Sequence, residues 1–183
     1  MQDESSRLNL FVYSEEMVAF VTASNSYCQL MEQSAPAEEG KAFIASLVES
    51  LSRIYADFIV LGESEPVFDS PPEHTVTEQE WASVYQQTAR ILGPYNDFLR
   101  PADADEFDRS EMVQHTISED LADLYQELKD FTVIYSRGIE ELMNDAAWEL
   151  QERFSEHWGT KLLRSLLALH ELYIKGVDPH EEE

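Results

Sequence analysis

Cysteine is nearly absent from this chain: Cys28 stands alone among 183 residues. An intramolecular disulfide is thereby excluded, and so is a structural zinc site built on cysteines. Basic side chains are scarce as well. The sequence holds 12 Lys and Arg against 37 Asp and Glu, a formal net charge of −25. A field of that sign repels nucleic-acid phosphates and anionic membrane surfaces, so neither is expected as a direct partner. No apolar run approaches the roughly 18 residues needed to cross a bilayer. The first residues, Met1-Gln2-Asp3-Glu4-Ser5-Ser6, carry acid where a signal peptide would carry base, and a cytoplasmic location is expected.

What is present suffices for one core. Apolar residues make up 43% of the chain. A chain of this length buries roughly 70% of the surface it exposes when unfolded. The length fits one domain over 1–183 that needs neither disulfide nor metal to fold. The acidic excess is spread along the whole chain. Solubility alone accounts for it; a basic protein partner or divalent cations are what it would attract.

The apolar residues recur at helical spacing and not at alternate positions. Met17, Phe20, Val21, Tyr27, Cys28 and Met31 share one face of a first helix. Ser14 is its expected N-cap, and Tyr13 with Val18 its expected hydrophobic staple. A second helix opens at Pro36 and carries the cleanest stripe, Ile44, Leu47, Val48, Leu51, Ile54, Tyr55, Phe58 and Ile59. Thr77 and Glu80 form a capping box before Trp81, Val84, Tyr85 and Ile91. A fourth helix opens at Thr116, with Glu119 as box partner, and runs through Leu121, Leu124, Tyr125, Leu128, Phe131 and Tyr135. The fifth carries Ile139, Leu142, Met143, Ala146, Ala147, Leu150 and Phe154, and the sixth Leu162, Leu163, Leu166, Leu167, His170 and Tyr173. An all-α bundle of about six helices follows, with the second and sixth expected among the most buried. Gly62, Gly93, Gly138, Gly159 and Gly176 each stand just past a stripe, where a left-handed residue ends a helix. Gly159 could equally mark a kink in one long helix. Two long loops remain, about 62–76 and 93–115.

Catalytic and metal motifs are missing. Asp103-Ala104-Asp105 opens like a calcium loop, but Phe107, Asp108 and Gln114 stand where such a loop needs oxygen ligands and glycine. No histidine is preceded at three residues by glutamate, so the ligand pairs of a di-metal bundle are absent. No phosphate-binding glycine loop or nucleophile elbow occurs. No cofactor is therefore expected. Cys28 reads as a core thiol.

Two carboxylate ladders stand out. Asp120, Asp123, Glu127 and Asp130 fall on one face of the fourth helix. Glu141, Asp145, Glu149, Glu152 and Glu156 do the same on the fifth. They read as solvated faces, as a docking surface for a basic partner, or as a loose divalent-cation site. Trp148 lies near the second ladder and off the core stripe. His157 and His170 are expected on apolar faces, and a ligand or proton-transfer site would need them to meet Asp120 and Asp123.

The stretch Ser118-Glu119-Asp120-Leu121-Ala122-Asp123-Leu124-Tyr125-Gln126-Glu127-Leu128-Lys129 resembles the central signature of the bacterial domain of unknown function family 5063. Ala147-Trp148-Glu149, His157-Trp158-Gly159 and Leu166-Leu167-Ala168-Leu169-His170 are similar to it too. The resemblance is specific over 118–173. It implies a compact, all-helical bacterial domain without an established activity. It marks Asp120, Asp123, Tyr125, Trp148, His157, Trp158 and His170 for testing and transfers no catalytic role.

The resulting expectation is a non-catalytic interaction or accessory protein that uses its acidic faces and Trp148. The alternatives are a small-molecule or divalent-cation domain, enzymatic or not, around Asp120, Asp123, His157 and His170, and an acidic mimic of nucleic acid.

Overall fold

Polar caps start the helices where the sequence places them. In the computed structural model, which describes residues 8–33, 40–101 and 112–179, Ser14 accepts a hydrogen bond from the Met17 amide at 3.2 Å and opens α1, Glu15–Glu32. Thr77 and Glu80 form the full reciprocal box ahead of α3, Glu78–Leu92. Thr116 accepts from the Glu119 amide and opens α4, Ile117–Tyr135. Asn96 supports the same start, its carbonyl taking the Ile117 amide and its side chain the Ser118 amide. The remaining helices are α2, Gly40–Phe58, α5, Glu140–Glu152, and α6, Gly159–Lys175. The fold is all-α, as the periodicity requires. Tyr13 and Val18 are each about half exposed. The Pro36 start of α2, the Asp103–Asp105 turn and Phe107 lie outside the described residues.

The fourth helix is the most buried; the second follows with seven buried residues, while the sixth, with four, is not among the most buried. α4 packs against α1, α3, α5 and α6, while α2 packs against α1 and α6. Leu121, Ala122, Leu124 and Leu128 are fully enclosed along it. Tyr27 donates its hydroxyl to the Leu121 carbonyl at 2.7 Å, which lets a buried phenol sit in the core without an orphaned group. Phe58 centres an aromatic cluster, with ring centroids 4.5 Å from Phe154, 4.6 Å from Trp158 and 5.3 Å from Phe20. Each such ring stabilises the fold by roughly 1.5–3 kcal/mol through burial.

The second long loop contains structure that the sequence reading did not foresee. After a 3₁₀ turn at Gly93–Tyr95 the chain forms β1, Asp97–Pro101, which pairs antiparallel with β2, Met112–Thr116, from Asp97 opposite Thr116 to Pro101 opposite Met112. Gly93, Gly138 and Gly176 have positive φ and end α3, α4 and α6. Gly159 does something else. Its φ is −63°, and it closes a π turn, Phe154–Trp158, between α5 and α6. A Cβ there would stand 2.5 Å from the Phe154 carbonyl oxygen, so only glycine fits. No helix among the described residues is long and apolar enough to cross a membrane.

Candidate functional site

The first carboxylate ladder is covered, not solvated. α6 runs antiparallel across that side of α4. Asp120, 3% exposed, receives Arg164 through Nε at 2.6 Å and through a second guanidinium nitrogen, with Ser165 Oγ 3.4 Å away. Asp123 accepts from Trp81 Nε1 at 2.8 Å and pairs with Lys161. As the acid steps forward three residues on α4, its cation steps back three on α6. Glu127 pairs with Arg153, just past α5. Bidentate, charge-assisted contacts such as that of Asp120 are geometrically demanding, and they hold the two helices in one register. Burial pushes the Glu127 carboxyl above its usual range, against the pull of Arg153.

Asp130 and Asp145 fasten the first long loop. Asp130 accepts the amides of Thr75 at 2.6 Å and Val76 at 2.8 Å, the Thr75 hydroxyl at 2.8 Å, and lies 3.0 Å from His74 Nδ1. Asp145, 2% exposed, accepts the amides of Val67 at 2.7 Å and Phe68 at 2.8 Å. Asn144 Nδ2 donates to the Glu65 carbonyl, and Gln151 bridges Gly62 and Ser64. The connection between α2 and α3 is thus a strap tied along α5 and the end of α4. Of the second ladder, Glu141, Glu152 and Glu156 remain exposed and Glu149 is half-buried.

The remaining candidates separate. Tyr125 is buried and donates its hydroxyl to Glu32 Oε1 at 2.9 Å. Burial and that acceptor push its phenol well above the usual range. Lys129 shares Glu32 at 2.6 Å. Trp158 is fully enclosed and donates to the Leu150 carbonyl at 2.8 Å. Cys28 is a core thiol, pushed up to about 12 chiefly by burial, with nearby Lys129 opposing and Glu32 reinforcing the shift. His157 and His170 are exposed and not on apolar core faces. Neither partners Asp120 or Asp123, whose oxygens are taken by Arg164, Ser165, Trp81 and Lys161. Among the described residues no group of three or more His, Cys, Asp or Glu side chains could hold a metal ion. The cleft between Glu127, Asp130, Glu149 and Arg153 encloses about 30 Å³, room for a single water.

Trp148 lines a different place. With Phe58, Ile59, Leu61 and Phe154 it floors a shallow hollow of about 530 Å³, edged by Glu63 and Glu152. Ile59, Val60, Val67 and Phe68 are 45–59% exposed. The strap supplies Ile59, Leu61, Glu63 and Ser64 to this hollow, and further along it Asp145, three residues before Trp148, holds the Val67 and Phe68 amides. Sequence reasoning missed Lys161, Arg164 and Trp81 as partners of the ladder. Their signal was present: two cations three residues apart on α6 match two acids three residues apart on α4.

The architecture defines an all-helical bundle with a charged row sealed between two of its helices and an acid-edged apolar shelf outside. Residues 11–175 match the family described as a domain of unknown function, DUF5063, and the chain belongs to that family. The match reaches well beyond the 118–173 segment. A comparison with curated proteins found no match. Among solved structures, the crystal structure of protein BF1032 from Bacteroides fragilis is similar, with a TM-score of 0.77 and 29% identity over 89% of this chain and 98% of the other.

Proposed function

We propose that this protein is a non-catalytic docking module, acting in the cytoplasm, that holds a basic partner segment on the Trp148 shelf. The observation that carries the reading is the apolar hollow in which Trp148 stands with Phe58, Leu61, Phe154 and the exposed Ile59, with Glu63 and Glu152 at its edge. A large aromatic at the centre of an apolar patch with a charged rim is the usual anatomy of a contact surface. The partner chemistry is an apolar or aromatic anchor flanked by Lys and Arg. The full pairing of Asp120 and Asp123 argues against acid–base or metal chemistry there, so the cation-site alternative gains no support. The row of carboxylates that a nucleic-acid mimic needs is in good part internal.

The test is calorimetric titration with a designed peptide that has a central Trp or Leu between Lys and Arg residues. Binding should weaken with salt, fall at least tenfold in Trp148→Ala, and fall again when Glu63 and Glu152 become Lys. Reversing Asp123, Glu127 or Asp145 would test folding instead, because those side chains are engaged internally. Binding that ignores both Trp148→Ala and the lysine substitutions would end the proposal.

A further inference from the structure

The sixth helix has a second apolar face that the bundle does not use. Its inward side is Leu162, Ser165 and Leu169, with Leu172 packed against the core. On the opposite side Leu163, Leu167 and Ile174 are 45%, 42% and 63% exposed, and His170 lies exposed between them. The steps from Leu163 to Leu167 to His170 to Ile174 are four, three and four residues. That is the spacing of a coiled-coil seam, in which one helix lays its stripe against another. The helical periodicity places Leu163, Leu167 and His170 of this stripe in the core.

We infer that this face is a self-association seam, on which two copies of the chain pair through antiparallel α6 helices. The pattern is its own complement in that direction. An antiparallel pairing that sets Leu163 against Ile174 of the second copy also sets Leu167 against His170, and each contact occurs twice about the two-fold axis. The flanks agree. Leu166 and Tyr173 lie on one side of the seam and meet as an apolar pair across it. Arg164 and Glu171 lie on the other, so the acid of one copy runs past the guanidinium that the second copy also uses to hold Asp120. A parallel pairing loses this match, because it stacks His170 on its own copy.

Charge favours a second copy here over any other face. In a chain of net charge −25, α6 carries Lys161, Arg164 and Lys175 against the single acid Glu171. No other helix has a positive excess. Lys161 and Arg164 offset Asp123 and Asp120 beneath them, so this face is near neutral, and two copies approach along it with less repulsion than along α1, α3, α4 or α5, each net acidic. The seam shares no residue with the Trp148 shelf, so pairing leaves that surface open. It spans twelve residues, Leu163 to Ile174, about 16 Å of helix. A contact of that length sits with the weak interfaces below roughly 1,200 Å², and the dimer is a concentration-dependent one.

Sedimentation equilibrium on the full chain, over a wide concentration range, tests the pairing. The expected result is a reversible monomer–dimer equilibrium that Leu167→Glu shifts to monomer while circular dichroism stays unchanged. Direction is tested by oxidative cross-linking. The double variant Leu163→Cys with Ile174→Cys should give a disulfide-linked dimer. Leu163→Cys alone should not, because antiparallel copies of that residue stand about 16 Å apart along the helix, far outside disulfide reach. Both positions are exposed, so neither substitution disturbs the core, and the native Cys28 is buried. A chain that stays monomeric at every concentration overturns the inference. So does a Leu163→Cys variant that cross-links as readily as the double one.

Discussion

Replacing Asp130 with alanine removes one carboxylate and unties one end of the strap. Besides the exposed His74 ring at 3.0 Å, the lost contacts are the Thr75 and Val76 amides and the Thr75 hydroxyl, at 2.6, 2.8 and 2.8 Å. A hydrogen bond to a charged group contributes about 1.5–3 kcal/mol. Water reaches this edge of the fold and will satisfy part of what is released, so the set is worth about 3 kcal/mol and not the sum of three full bonds. In a chain of this size each kcal/mol shifts Tm by about 2–4 °C, so the variant should melt about 6–12 °C lower. Thermal unfolding followed by circular dichroism reads that shift. Hydrogen exchange of peptides covering 66–77 reads the second consequence, faster exchange at Thr75 and Val76 before the rest of the chain opens. Glu141→Ala, an exposed acid of the same helical pair, is the control and should change stability by less than about 0.5 kcal/mol. A Tm change under about 2 °C, together with unchanged exchange at Thr75 and Val76, would refute the idea that Asp130 fastens the loop.

Other outcomes follow from the same contacts. Arg164→Met strands the buried Asp120 charge and should cost about 3–5 kcal/mol in urea unfolding, with much of the loss recovered when Asp120→Leu is added. A result below about 1 kcal/mol would mean that water reaches the pair. Cys28 should resist thiol reagents at neutral pH until denaturant is added. Because its folded pKa is raised from 9.0 to about 12, stability should decline as pH climbs through that window, and Cys28→Ala should flatten the decline. Glu127 has a raised folded pKa, so its contribution is lost as pH rises from 4.5 through the folded value. Glu127→Gln should remove that slope, and an unchanged pH profile would speak against its burial.

The helices were legible because their signals are local. Ser14, Thr77 and Thr116 cap within three residues of themselves, and Gly93, Gly138 and Gly176 end helices by their own backbone freedom. What failed to show was decided by residues far away. Leucines at 162, 163, 166, 167 and 169 spread over about 160° of α6 at 100° per residue, so periodicity could not say which edge of that arc faces inward. The ion pairs to Asp120 and Asp123 made that choice, and they placed the unremarkable Ser165 in the core. The α4 acids look solvated in isolation because their cations lie 26 to 44 residues further along. The hairpin has only five residues per strand, too few for alternation to announce it. Trp148 was legible as an off-stripe aromatic, but its neighbours on the shelf come from the end of α2 and the strap.

The inward turn of the cations sets how this molecule should respond to ionic strength. Lys129, Arg137, Arg153, Lys161 and Arg164, five of the 12 basic residues, are tied to carboxylates of the same chain. The outer face is left as a polyanion with few positive points to interrupt it. Added salt thins the mutual repulsion of two such bodies and should tighten the α6 pairing, while it loosens the grip of the shelf on a basic segment. Dilute buffer thus favours the single chain with a ligand, and concentrated electrolyte favours the empty pair.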